Sequence, residues 1–327
     1  MKKYKSLVFI IVFMFIFGGC SSNKVKESKV EPIKDVKVFM PEGLPALTMT
    51  KMMKDSTKIK DVNIIYEVQS TSDNLVTKVL NSEADIAVVP SNLAAQAYNK
   101  GLKYVVAGTG GWGSLYLISN ENVKSWSELK GKEIYSIGKG LTPDIMFRYI
   151  LNSNKIDPDK DLKITYLNAA TELAPAFISG KSTLCVIPEP MLTTVMMKKT
   201  DTKILFDLNK EWINLTGSKL GYPQSTLIIK KELVEKNKAF VDEFIKTYDE
   251  SINWANNNRD KLGSYIEELK LNINKSVAEK ALDRANLKFV SSKDSREDYE
   301  KYYNVLQSFE PKSIGGKVPD EGLFLYK

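Results

Sequence analysis

Histidine is absent from this chain of 327 residues, and cysteine occurs only twice, as Cys20 and Cys185. Without histidine the chain lacks the commonest general base and the commonest zinc ligand. Only acids and lysines remain for catalysis, and no pairing of a nucleophile with a base is visible among them. A secreted enzyme is therefore the less favoured class of function, and we expect neither a metal site nor a cofactor.

The excess of basic over acidic residues is small and scattered. The formal charge is +7, and the three lysines within residues 1–19 account for the difference from +4 in the remainder. This excess is spread as single lysines and not as an arginine-rich patch, so a nucleic-acid partner is not indicated.

The first nineteen residues resemble a bacterial lipoprotein signal peptide. Lysines at the start precede an apolar run over residues 7–17, and Gly18 and Gly19 lead into Cys20. The run is too short to span a membrane. We predict that Cys20 is lipidated and becomes the new N-terminus, so that two acyl chains anchor an extracytoplasmic protein to the cell membrane. An ordinary secretory signal is the alternative.

A polar, lysine-rich segment over residues 20–34 follows, as expected of a flexible tether. The folded part is predicted to begin at about residue 35. With only Cys185 left after Cys20, no disulfide framework forms. Cys185 lies in an apolar stretch and is predicted to be a small buried side chain.

A buried strand followed directly by a helix start occurs twice. Residues 85–90 read DIAVVP, and Ser91 or Asn92 is placed to cap the next helix. Residues 183–188 repeat this pattern as TLCVIP, followed by Glu189 and Pro190. Two similar α/β units predict two lobes, each of which presents a strand end and a helix start to a shared cleft.

Two glycine-rich segments punctuate the chain between these units. Residues 108–113 (GTGGWG) superficially match a dinucleotide fingerprint, but an apolar strand follows them where a helix would be required. We predict a tight loop that presents Trp112 to the cleft, with a plain turn as the alternative. Residues 138–143 (GKGLTP) predict a turn, a capping Thr142 and a first-turn proline.

Taken in order, these features resemble the nitrate/sulfonate/taurine and thiamine-precursor group of ABC-transporter solute-binding proteins. The resemblance covers about residues 36–260 and rests on the lipoprotein signal, on LKGKEI at 129–134, on the glycine-rich helix start and on the segment 180–190 ending in Glu189-Pro190. Two departures concern Leu184, where the family usually carries aspartate, and the first loop, PEGLP at 41–45. The substrate therefore cannot be inherited.

The resemblance implies an α/β, two-lobe type II periplasmic-binding-protein fold with two interlobe crossovers and a helical C-terminal region. We place the crossovers near Ser119 and near residues 222–226. The first lobe then comprises residues 35–118 and 224–327, and the second lobe comprises residues 119–223. Ligands in such sheets bind outside the carboxyl ends of the strands.

The predicted ligand contacts lie at these strand ends: Met40, Glu42, Leu44, Ser91, Asn92, Trp112, Gly140, Thr142, Glu189 and Tyr222. Lys139 and the Thr142 helix start would suit an anion, but two acids in one cleft argue against a bare one. Trp112 and Tyr222 add flat surfaces. We favour a small nitrogen-bearing aromatic, such as a pyrimidine vitamin precursor, and keep an alkanesulfonate or nitrate as the alternative.

The implied partners are the small-molecule ligand and an ABC permease with its ATPase. The protein is expected to act as a monomer, by closing its two lobes on the ligand without chemistry. An extracytoplasmic sensor lipoprotein is the third reading of the sequence.

Overall fold

The structure, a computed structural model, describes residues 33–325. The predicted signal peptide, the lipidation site Cys20 and nearly all of the tether lie outside the described residues.

Within this range the chain alternates between strands and helices. The strands are β1 (Asp35–Pro41), β2 (Lys58–Ile59), β3 (Val62–Gln69), β4 (Ile86–Pro90), β5 (Tyr104–Trp112), β6 (Leu115–Ser119), β7 (Glu133–Ile137), β8 (Lys163–Leu167), β9 (Leu184–Pro188), β10 (Lys203–Asp207), β11 (Pro223–Lys230) and β12 (Leu287–Ser291). The helices are α1 (Leu44–Asp55), α2 (Ser72–Leu80), α3 (Ser91–Asn99), α4 (Thr142–Ser153), α5 (Ala170–Ile178), α6 (Met191–Lys198), α7 (Leu208–Thr216), α8 (Lys231–Lys236), α9 (Lys238–Asn257), α10 (Arg259–Glu268), α11 (Lys275–Ala281) and α12 (Arg296–Phe309).

Two separate sheets define the two lobes. The first sheet has the order β12-β5-β11-β4-β1-β3-β2, and the second has the order β10-β6-β9-β7-β8. In each sheet a strand that arrives from the other lobe pairs antiparallel with its neighbours, as β11 does with β4 and β6 does with β9. The central strands β1, β3 and β4 pair in parallel, as do β7, β8 and β9. Such sheets are buried on both faces, which explains the continuous apolar runs of β4 and β9.

The first crossover lies earlier than the sequence predicted. Strand β5 belongs to the first sheet and β6 to the second, so the chain crosses at Gly113 and Ser114. The predicted boundary at Ser119 is therefore wrong, because β6 itself belongs to the second lobe. The chain returns to the first sheet between the end of α7 and the start of β11 at Pro223.

The glycine cluster at 108–113 is not the loop that we predicted. Most of it lies inside β5, which is buried along its whole length. A Cβ atom at Gly108 would collide with the carbonyl oxygen of Val290, and one at Gly110 would collide with the hydroxyl of Tyr248. The glycines therefore allow close packing of β12 and α9 against this strand.

Three clusters of apolar side chains stabilise this arrangement. One fills the first lobe around Val38, Met40 and Phe244, and another fills the second lobe around Ile187 and Leu192. The third cluster contains residues of both lobes, so the lobes share apolar contacts. No helix within residues 33–325 combines the length and the apolar character needed to cross a membrane.

The region after β11 is helical as predicted, with one exception. Strand β12 interrupts the helices and pairs antiparallel with β5 at the edge of the first sheet. Helix α12 contacts both lobes. The hydroxyl of Tyr299 shares a hydrogen bond with Thr226 in β11 at 2.8 Å, and the hydroxyl of Tyr302 shares one with Thr142 in α4 at 2.8 Å.

Candidate functional site

A cavity of about 140 Å³ lies between the lobes, where the carboxyl ends of β1, β4, β7 and β9 meet. The first lobe contributes residues such as Pro41 and Leu44, and the second contributes residues such as Ile137 and Met191. Apolar side chains, many of them prolines, form most of its walls. This is where a ligand binds in a sheet of this type.

Helix starts surround the cavity. The first residues of α1, α4, α5 and α6 line it, as does Pro90, which precedes α3. None of these five helices has a side-chain hydrogen bond at its N-cap. The first backbone N–H groups of a helix have no intrahelical partner. Apart from the N–H of Thr193 in α6, which already donates to Glu189, these helix starts can therefore donate hydrogen bonds to acceptor atoms of a ligand.

The predicted helix caps are not formed. The N-cap residues of α3 and α4 are Pro90 and Leu141, and neither Ser91 nor Thr142 caps its helix. Both hydroxyls make tertiary hydrogen bonds instead. Ser91 pairs with Thr226 at 2.5 Å, and Thr142 donates to Asn92 at 3.2 Å.

Glu189 is buried in the cavity wall, and its negative charge is balanced by an ion pair with Arg284. Its Oε1 accepts a hydrogen bond from Arg284 Nε at 2.6 Å, and its carboxylate also accepts from the backbone and hydroxyl of Thr193, both at 3.1 Å. Burial raises the pKa of Glu189, while Arg284 and Thr193 act in the opposite direction. Its charge is therefore balanced by a residue of the other lobe.

Glu42 is the second acid of the lining, and it has no such partner. It is half-buried, and its side chain is hydrogen-bonded to Asn272. No ion pair joins Glu42 to a basic side chain within residues 33–325. Burial raises the pKa of Glu42, and the hydrogen bond with Asn272 opposes that shift. Among the described lining residues, Glu42 and Glu189 are the only charged ones.

Four of the ten predicted contact residues line the cavity: Glu42, Leu44, Thr142 and Glu189. Their contact with a ligand stays a prediction. Asn92 and Gly140 lie beside it and bond to each other across the lobes, since Asn92 Nδ2 donates to the Gly140 carbonyl at 3.2 Å. Lys139 also lies outside the lining, with its Nζ 5.7 Å from the centroid of the Tyr166 ring.

The remaining predicted contacts belong to the interior of the protein. Met40 is buried in the core of the first lobe, and Ser91 is buried beside Thr226. Trp112 is 3% exposed and donates from Nε1 to the carbonyl of Lys288 at 3.1 Å. Tyr222 is fully buried and packs edge-on against Trp212. The prediction that Trp112 and Tyr222 offer their rings to a ligand in this cavity is therefore wrong. No described aromatic side chain lines the cavity.

Several lining residues were not predicted. Asn272 and Ile273 come from the connection between α10 and α11, and Gln224 comes from the start of β11. Gln224 also fixes the crossover, because its Oε1 accepts from the backbone N–H of Ser114 at 2.8 Å. These residues lie outside any sequence motif, so the sequence alone does not indicate that they line a cleft.

Nothing in the described part of the chain suggests a metal centre. No group of three or more cysteine, aspartate or glutamate side chains within residues 33–325 is arranged to hold an ion. Cys185 is a free thiol in β9, and burial raises its pKa well above its usual range. An inert structural cysteine has these properties.

Solved structures share the fold over most of the chain. An ABC transporter protein from Parabacteroides distasonis superimposes with a TM-score of 0.76 at 26% identity, over 90% of this chain and 99% of that one. The periplasmic aliphatic sulphonate binding protein SsuA from Escherichia coli gives a TM-score of 0.73 at 15% identity, over 90% and 93% of the two chains. The predicted two-lobe fold is therefore confirmed.

A sequence relative extends this similarity. YtlA of Bacillus subtilis (strain 168), whose name describes it as a binding protein, is 26% identical over 316 residues, which cover 94% of this chain and 90% of YtlA. Together with the structural matches, it confirms the resemblance to solute-binding proteins of ABC transporters. The family model described as menaquinone biosynthesis matches residues 41–307. The chain therefore belongs to this family, VitK2_biosynth, and has the two-lobe fold of periplasmic binding proteins.

Proposed function

We propose that this chain is the extracytoplasmic solute-binding component of an ABC importer, and that its interlobe cavity captures a small nitrogen-bearing aromatic for delivery to a permease. We infer the class of ligand from the charge of the cavity. Among the described lining residues, most of which are apolar, Glu42 is the only charged one without a partner of opposite sign.

Support for transport comes from the two relatives at 26% identity, one an ABC transporter protein and the other named as a binding protein. The family is named for a biosynthetic pathway, but we propose binding without chemistry. Glu189 is held in an ion pair with Arg284, so it is not a free general base of the kind that a hydrolytic site requires.

The size and surface of the cavity favour a single ring. An apolar cavity of about 150 Å³ in another protein holds benzene, and this one measures about 140 Å³. Proline rings, among them Pro41, Pro45, Pro90 and Pro143, supply apolar faces in place of the aromatic side chains that we had predicted.

The polar groups favour a ligand with both donors and acceptors. The carboxylate of Glu42 can accept from a ring amine or attract a protonated nitrogen, and the uncapped helix starts can donate to ring nitrogens. Helix starts alone would also suit a sulfonate or nitrate. A bare anion beside Glu42 would lack a compensating cation, because no lysine or arginine is among the described lining residues.

A thermal-shift screen tests this proposal. We expect 4-aminopyrimidine and related ring amines to raise the melting temperature and expect nitrate and butanesulfonate to leave it unchanged. The shift should disappear in Glu42→Gln and persist in Glu232→Gln, a matched control whose carboxylate pairs with Lys236 on the surface. Stabilisation by the anions alone, unchanged in Glu42→Gln, would overturn the ligand class.

A further inference from the structure

A groove of about 410 Å³ lies directly outside the cavity, between helices α5 and α6 of the second lobe and the segment 272–277 of the first lobe. It shares with the cavity the residues Thr171, Met191, Asn272 and Ile273. The two spaces therefore adjoin at these four residues, and both are formed by the two lobes together.

The far part of the groove is open to solvent and has apolar walls formed by Ala174, Pro175, Met197 and Val277. Polar residues also line this part: Thr194, Lys198 and Asn274. Met197 is 41% exposed and is one of the few large apolar side chains with such exposure in the described part of the chain. A single exposed apolar residue needs no explanation. An exposed methionine beside other apolar side chains in a groove next to a ligand cavity is typical of a binding surface.

Met191, one of the residues that line both the cavity and the groove, has a flexible side chain. Met191 is unbranched and has three rotatable bonds, so it can change its rotamer without moving the start of α6. Ile273, which also lines both spaces, lies on the connecting segment between α10 and α11. A chain attached to a ring in the cavity would leave between these two side chains.

We propose that the groove is a second subsite, which holds an unbranched apolar chain of several carbons attached to the ring in the cavity. This inference rests on the proposed function, because the ring must occupy the cavity first. It narrows the ligand class from a bare nitrogen-bearing ring to one with an alkyl substituent. Because both lobes line the groove, the chain also favours the closed arrangement of the lobes.

The proposal predicts a dependence of affinity on chain length. Burial of one methylene contributes about 0.8 kcal/mol, which corresponds to about fourfold tighter binding. An open groove buries each methylene only in part, so we expect binding to become about twofold to fourfold tighter for each added methylene. The probes are benzylamine and its 4-ethyl, 4-butyl and 4-hexyl derivatives, measured by titration calorimetry on the purified full chain.

Two variants and a control assign the effect to the groove. Thr194 lines the groove but not the cavity, so Thr194→Phe should fill the groove and remove the gain of the longer probes while benzylamine binds as before. Met197→Gln should reduce the gain per methylene. Leu215→Gln changes a side chain with 42% exposure on α7, outside the groove, and should leave the series unchanged.

The outcomes separate the two proposals. Equal affinity for short and long probes, or a gain with length that persists in Thr194→Phe, would overturn the subsite and leave the binding of ring amines intact. Failure of every member of the series to bind would contradict the proposed function as well.

Discussion

Arg284 Nε donates to Glu189 Oε1 at 2.6 Å and joins the two lobes through a partly buried ion pair. The guanidinium also donates from Nη2 to Thr193 Oγ1 at 2.7 Å, and the hydroxyl of Tyr116 donates to the Arg284 carbonyl at 3.0 Å. Arg284 lies between α11 and β12 of the first lobe, while its three partners belong to the second. This residue therefore both braces the lobes and balances the charge of one cavity acid.

Removing Arg284 should leave Glu189 buried without a counter-charge. Loss of one partner of a fully buried pair typically costs about 3–5 kcal/mol of unfolding free energy. Because the Arg284 side chain is 30% exposed, we expect about 2 kcal/mol or more for Arg284→Gln, measured by thermal unfolding.

Two comparisons make the Arg284 prediction specific. Arg259→Gln breaks the exposed pair with Asp283 and should cost less than about 1 kcal/mol. Adding Glu189→Gln to Arg284→Gln should recover part of the loss, because the unpaired charge disappears. Additive losses in the double variant would contradict the coupling.

Binding of a protonated aromatic amine such as benzylamine should depend on pH through Glu42. Burial raises the pKa of this carboxyl above the usual 4.5. Below the raised pKa the carboxyl is neutral and attracts the cation weakly, so affinity should increase as the pH rises above about 4.5 and then level off. Titration calorimetry of benzylamine across this range measures the profile.

The Glu42→Gln variant isolates this effect. Glu189 also titrates with a raised pKa, but it is present in both proteins. The difference between the two profiles therefore reports Glu42 alone, and parallel profiles would refute its role.

Gly110 should tolerate no side chain. An added Cβ would collide with the hydroxyl and ring of Tyr248, and overpacking of this kind typically costs about 1–3 kcal/mol. We expect Gly110→Ala to lower the melting temperature. Tyr248→Phe in the same chain should recover part of the loss by removing the hydroxyl. A Gly110→Ala variant as stable as the original chain would contradict the close approach of Tyr248 to this glycine.

Cys20→Ser should release the protein from the membrane or leave its signal uncleaved. The residue lies outside the described part of the chain, and the prediction follows from the sequence of residues 1–34, in which the tether has no apolar face. Detergent partitioning of the expressed protein measures it. A variant that still partitions as a processed lipoprotein would disprove the anchor.

The sequence predicted the architecture better than the site. Apolar runs ended by proline identify β4 and β9, and because strand ends in parallel sheets converge, Glu189 falls at the cavity. Trp112 and Tyr222 follow the same rule in sequence but turn into the interior, since β5 and the return crossover are covered by neighbouring elements. Which face of a covered strand a side chain occupies depends on tertiary packing.

Contacts between distant segments also escaped prediction. Asn272 contacts Glu42 from the segment between α10 and α11, far along the chain, and Arg284 contacts Glu189 from the other lobe. Neither residue lies within a motif, so only the folded chain brings them to the cavity. The charge balance of the site could therefore not be read from the strand ends alone.

We propose above all that the cavity selects an aromatic ring that bears a basic nitrogen over an anionic aromatic ring of similar size. Titration calorimetry with benzylamine and benzenesulfonate tests it most directly, because the two ligands share a ring and differ in the sign of their charge. The carboxylate of Glu42 has no basic partner within residues 33–325, and no lysine or arginine is among the described lining residues. We therefore expect benzylamine to bind and benzenesulfonate to bind at least tenfold more weakly. Tighter binding of benzenesulfonate, unaffected by Glu42→Gln, would contradict the account.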